Sequence, residues 1–166
     1  MRNSVITPIA AGVLLAFAGA AHAVTKTDSF VVSATVAKNC VIDAPDLNLG
    51  SFDGTNDLTV NSTISVKCTN GTTYDVNLST GSSGIYTNRT LLFGTGVLNY
   101  NLYTTSGYTT PWGDNTSGSG RPATGTGAGM ATNQTLTVYG RLLAANNTAP
   151  VDAGTYTDTI VATIVY

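Results

Sequence analysis

From residue 28 to the end, the chain is written in short runs of alternating side chains, and no stretch repeats its apolar residues at the spacing of a helix. The runs include Phe30-x-Val32-x-Ala34-x-Val36, Leu47-x-Leu49, Leu58 to Cys68, Tyr74-x-Val76-x-Leu78 and Leu98-x-Tyr100-x-Leu102, then Thr135 to Leu143 and Tyr156 to Tyr166. A period of two sends successive side chains to opposite faces, so each run suits a strand with one face on a core. Gly, Asn, Asp, Ser and Pro separate the runs and supply the turn conformations. A chain of 166 residues written this way is all-β, with one domain's worth of core. Sandwich and barrel both fit the pattern.

Several local expectations follow from the pattern. A strand over 28–40 ends at Cys40, and further strands cover 47–52 and 156–166. Asn70-Gly71 is a tight-turn signal, predicting a hairpin from the Cys68 strand into Tyr74–Leu78. Residues 104–129 are mostly Gly, Ser, Thr, Asn and Pro around the single Trp112, which reads as a long surface loop pinned by Trp112 on a sheet edge.

The first residues follow another logic. Arg2, an apolar run from Val5 to Ala21 and the small residues of Ala21-His22-Ala23 predict a signal peptide over 1–23. A membrane anchor needs about 20 apolar residues, and this run is shorter and broken by Pro8 and Gly12. The remainder divides into an N-terminal extension, 24–39, and a domain, 40–166. Export places Cys40 and Cys68, the whole cysteine complement, in an oxidising compartment where pairing is expected.

Composition narrows the chemistry. The only histidine, His22, leaves with the leader, and the chain has no glutamate, so its nine acidic residues are all Asp. General bases and paired carboxylates are therefore scarce. Asp152 with Asp158, or Asp43 with Asp46, could be paired on paper, but Asp in turns more often caps backbone groups. No enzyme activity, cofactor or metal site is expected. Asp53-Gly54-Thr55-Asn56-Asp57 offers oxygen ligands without the spacing of a calcium loop and reads as a turn. With 10% charged residues and no basic run, neither nucleic acid nor an anionic membrane is indicated. Trp112 with Tyr103 and Tyr108 could form a sugar-binding platform, although a loop-pinning Trp fits better.

Taken together, Phe30-x-Val32-x-Ala34-x-Val36 before Cys40, Leu47-x-Leu49-Gly50, Leu98-x-Tyr100-Asn101-Leu102-Tyr103, Trp112-Gly113-Asp114, Val138-Tyr139-Gly140 and Gly154-x-Tyr156-x-Asp158-Thr159 resemble the spore coat protein U family. These are secreted subunits of archaic chaperone-usher pili. The resemblance implies an incomplete immunoglobulin-like β-sandwich of the pilin type, completed by a donor strand from the next subunit. Carried onto this chain, Phe30, Val32, Ala34 and Val36 would be the donor residues. Ile160, Ala162, Ile164 and Tyr166 would border the receiving groove. Expected partners are a periplasmic chaperone, an outer-membrane usher and neighbouring pilin subunits in a homopolymer or heteropolymer. The expected place is the cell surface, reached through the periplasm, with adhesion and biofilm formation as the role. A spore or cyst coat protein and a secreted carbohydrate-binding module are the alternatives.

Overall fold

The computed structural model describes residues 22–116 and 120–166. The expected leader falls outside the described residues except for His22 and Ala23. The chain separates into two units, one ending at Thr35 and one running from Val36 to Tyr166.

In the first unit, residues 22–35 form no strand, and Phe30, Val31 and Val32 are each more than four-fifths exposed. The strand expected over 28–40 is thus absent until its last residue. Alternation qualifies a segment for a ladder, but a strand also needs a partner for its N–H and C=O groups.

The second unit is a sandwich of two antiparallel sheets. Its strands are β1 (Cys40–Asp43), β2 (Leu58–Cys68), β3 (Thr73–Leu78), β4 (Arg89–Phe93), β5 (Gly96–Tyr103), β6 (Ala123–Thr126), β7 (Gln134–Leu142) and β8 (Ala162–Val165). One sheet runs β1-β2-β7-β5-β4 and the other β6-β3-β8. The long seam is β2 against β7, in register from Leu58↔Leu142 to Val66↔Gln134. Its alternation buries Ile64, Val66 and Cys68 on one strand and Val138 and Leu142 on the other. Tyr74, Val76 and Leu78 of β3 meet them from the opposite sheet, with Leu98, Tyr100 and Leu102 of β5 in the same core. Cys40 pairs directly opposite Cys68, and the two are disulfide-bonded. A loop of this length stabilises a fold by roughly 3 to 4 kcal/mol in the chain-entropy account.

Two expectations are corrected here. The Asn70-Gly71 turn makes no hairpin, because β2 and β3 belong to different sheets. Gly71, at φ 76°, turns the chain across the core as an arch, and its N–H donates to the Gly127 carbonyl at 2.9 Å. Both strands then present their apolar face to the same interior from opposite sides. Trp112 likewise does not lie on a sheet edge. It is fully buried, and its indole N–H donates to the Val76 carbonyl at 2.7 Å. The polar run around it also contains β6, paired with β3. Trp112→Phe removes that donor and leaves a void between the sheets, so a loss of about 2 to 4 kcal/mol is expected. Urea unfolding of the intact protein should show a lower midpoint at an unchanged slope.

Candidate functional site

The sandwich is open along one side. β1 ends the five-stranded sheet and β8 ends the three-stranded one, and beyond these strands the chain lines a groove of about 1330 Å³ between the sheets. Its floor is the core itself: Ile64, Leu78, Leu98, Leu102, Val138 and Leu142. One wall is residues 44–54, the other residues 147–158 with Ile160 and Ala162.

Each wall carries the signature of an unfinished sheet. Residues 44–52 make no backbone–backbone hydrogen bond among the described residues, although Leu47 and Leu49 pack close to Gly140 on the inner face of β7. A Cβ at Gly140 would stand 3.1 Å from Leu49 and 3.2 Å from Leu47, so glycine is what lets this wall lie down on the sheet. Facing it, the segment before β8 changes sheets. Thr157 exchanges two backbone hydrogen bonds with Leu92 of β4, whereas the Val161 carbonyl already accepts from Ser79 N–H beside β3. The strands expected over 47–52 and 156–166 are therefore present only as β8, because the intervening backbone has no continuous ladder.

Asp158 fixes the crossover. Its carboxylate accepts from Ser82 N–H at 2.8 Å, the Ser82 hydroxyl at 2.7 Å, Thr159 N–H at 2.8 Å and the Tyr100 hydroxyl at 2.7 Å. Burial, reinforced by the Asp158 carboxylate, pushes the Tyr100 phenol well above its ordinary value, so it stays a donor. Arg89 closes the same end of the sandwich. Fully buried, it donates to the Ser79, Trp112 and Tyr86 carbonyls and to Asn101 Oδ1. Burial holds its guanidinium below the ordinary arginine value.

The residues singled out from the sequence fall in different places. Ile160 and Ala162 line the groove, Ile164 packs on the core, and Tyr166 lies past the end of β8, half exposed. Phe30, Val32 and Val36 are exposed, as is Ala34. Asp53 accepts from the Asn56 N–H and side-chain amide and from the Thr55 N–H, which hold its carboxyl at about 2. It therefore caps its own turn. In the sequence Asp158 stands out as a member of a weak carboxylate pair with Asp152 and as part of the Gly154-x-Tyr156-x-Asp158-Thr159 motif, neither of which points to this network. Arg89 is not singled out by the sequence, because its acceptors on Ser79, Tyr86, Asn101 and Trp112 are scattered along the chain.

These features define a class: an immunoglobulin-like sandwich of the pilin type, with a groove floored by core side chains where an edge strand would complete it. The chain belongs to the Spore Coat Protein U domain family, which matches residues 26–163. Among solved structures, it is similar to a chain in the CsuC–CsuE chaperone–tip adhesion subunit pre-assembly complex from the archaic chaperone-usher Csu pili of Acinetobacter baumannii. The two are 24% identical with a TM-score of 0.56, over 80% of this chain and 40% of that one. The chain thus spans less than half the length of that relative. No curated protein matches it significantly.

Proposed function

We propose that the protein is a structural, non-catalytic subunit of a secreted surface pilus assembled by donor-strand exchange. The observation that carries this reading is the groove, whose two walls leave backbone groups unpaired over a floor of core residues. A strand laid between residues 44–52 and 158–165 would cover apolar floor and supply hydrogen-bond partners at once. The extension of a neighbouring subunit offers such a strand, with Phe30, Val32, Ala34 and Val36 facing inward and Ile160, Ala162 and Ile164 on the receiving wall. Tyr166 stands at the wall's far end.

An open groove is an aggregation hazard until it is filled, so a periplasmic chaperone holds the subunit and an outer-membrane usher delivers it. The contact runs head to tail and does not close on itself, which yields a fibre on the cell surface. Adhesion and biofilm formation are the roles such a fibre serves. Electron microscopy of producing cells tests the reading. Thin surface fibres that contain this chain, absent when its gene is deleted, are expected. Secretion of the chain only as a monomer would overturn it.

A further inference from the structure

The outer face of the five-stranded sheet carries a second site, independent of the groove. On β5 the residues between the core positions face outward, and two of them pair directly across to β7: Asn101 with Arg141 and Tyr103 with Tyr139. The turn at 143–146 and residues 87–88 fold over the first pair, leaving a crevice of about 30 Å³. That is room for one or two water-sized groups.

Among the described residues, two donors on residues that line this crevice have no partner. Asn101 is 96% buried, at 4% exposure, and its Nδ2 makes no hydrogen bond, nor does the buried Nε of Arg141. The Asn101 amide cannot be turned the other way, because its Oδ1 already accepts from Arg89 at 2.7 Å and from Leu102 N–H at 2.8 Å. Turning it would set an NH₂ against two donors. An unsatisfied buried donor costs about 1 to 3 kcal/mol, so the crevice is built for an acceptor.

Beside the polar pair stands an aromatic group. Tyr108 meets Tyr103 and Tyr139 edge-on, with ring centroids 5.5 and 6.5 Å apart, and the Arg141 guanidinium lies 5.2 Å over the Tyr108 ring. All three tyrosines are partly exposed. Tyr108 reaches this position from a left-handed backbone, φ 51°, which is uncommon for a tyrosine and persists only where its surroundings hold it. Partly exposed tyrosine rings next to unpartnered N–H donors, one of them on a guanidinium, suit a sugar ring bearing a carboxylate. We propose that Asn101, Arg141, Tyr103, Tyr108 and Tyr139 bind a carboxylate-bearing saccharide. Its carboxylate accepts from Asn101 Nδ2 and Arg141 Nε, and its ring lies on the tyrosines. Trp112, buried in the core, takes no part.

Isothermal titration of the intact protein with trigalacturonate and with sialyllactose tests this, with maltotriose as the neutral comparison. Saturable binding of at least one acidic sugar is expected, at least about tenfold tighter than maltotriose. Which acidic sugar binds separates a uronate polymer from a sialylated cell-surface glycan as the source. Asn101→Asp keeps an acceptor for Arg89 and Leu102 but sets a carboxylate against the ligand, and should weaken binding at least about tenfold. The Arg141 guanidinium also pairs with Asp57 at 3.2 Å; Arg141→Lys keeps a cation there while removing Nε, and Tyr139→Ala removes a ring, and both should weaken binding. Near-ultraviolet circular dichroism from Trp112 reports whether each variant is folded. If Asn101→Asp fails to fold, Arg141→Lys and Tyr139→Ala carry the test. Absence of acidic-sugar binding, equal binding of maltotriose, or folded variants that bind like the parent chain would overturn the proposal.

Discussion

Phe30→Asp in the intact chain is expected to abolish polymer while leaving the sandwich folded, and Val31→Asp is expected to disturb neither polymer nor fold. Both side chains are exposed in the lone chain, at 87% and 92%, so exposure does not distinguish them. Strand geometry does, because neighbours in a strand point to opposite faces. In an inserted strand Phe30 would face the groove floor and Val31 would face outward. Burying a phenylalanine contributes about 1.5 to 3 kcal/mol, and a carboxylate in its place adds an unpaired charge costing several more. The combined loss corresponds to a weakening of subunit association by roughly a thousandfold or more. Ladders of denaturant-resistant multimers on gels, read with electron micrographs, measure the effect. If Val31→Asp were as damaging as Phe30→Asp, the extension would act as an adhesive tail without strand register, and donor-strand exchange would be the wrong mechanism.

The same contrast explains which parts of the fold could be read from the sequence. β2, β5 and β7 were legible almost to the residue, since their alternation is long and each has ladder partners within the chain. Residues 28–39, 47–52 and 156–161 alternate just as well, yet they form no continuous strand. Periodicity reports that a segment has two unlike faces. It does not report whether a partner for the backbone lies in the same molecule. The misread hairpin at Asn70-Gly71 has a related cause, because a glycine at positive φ serves an arch between sheets as well as a turn within one. Trp112 was misplaced for a compositional reason: its polar neighbours mark a loop, but one indole can enter a core when its N–H finds a carbonyl such as that of Val76.

The groove walls were legible as sequence segments; what holds them was not. Arg89, the adjacent pair Tyr100 and Asn101, and Asp158 come from three separate stretches, and nothing in their spacing announces that they converge. Only folding brings the Tyr100 hydroxyl to Asp158 and Arg89 to Asn101. Of these, Arg89 is the least replaceable, because a guanidinium with five N–H groups in a fixed fork is what reaches carbonyls on several segments together.

Arg89→Met should therefore destabilise the intact protein by about 3 to 5 kcal/mol, the range for removing one member of a buried charged network. Methionine fills much of the volume, so the loss reports the abandoned acceptors: the Ser79 and Trp112 carbonyls and Asn101 Oδ1. Whole domains are stable by about 5 to 15 kcal/mol, and one with an open groove has little to spare. The consequence reaches the groove through Ser79. Arg89 holds the Ser79 carbonyl with two N–H groups, at 3.0 and 2.7 Å, while Ser79 N–H donates to the Val161 carbonyl and the Ser79 hydroxyl accepts from Val161 N–H, both at 2.9 Å. Releasing Ser79 should free the receiving wall just ahead of β8. Hydrogen exchange should then quicken at Ser79 and Val161 well before it quickens at Val66 in the β2–β7 seam. A midpoint shift equivalent to less than about 1 kcal/mol, or uniform exchange across the domain, would mean that Arg89 is not what holds that wall in place.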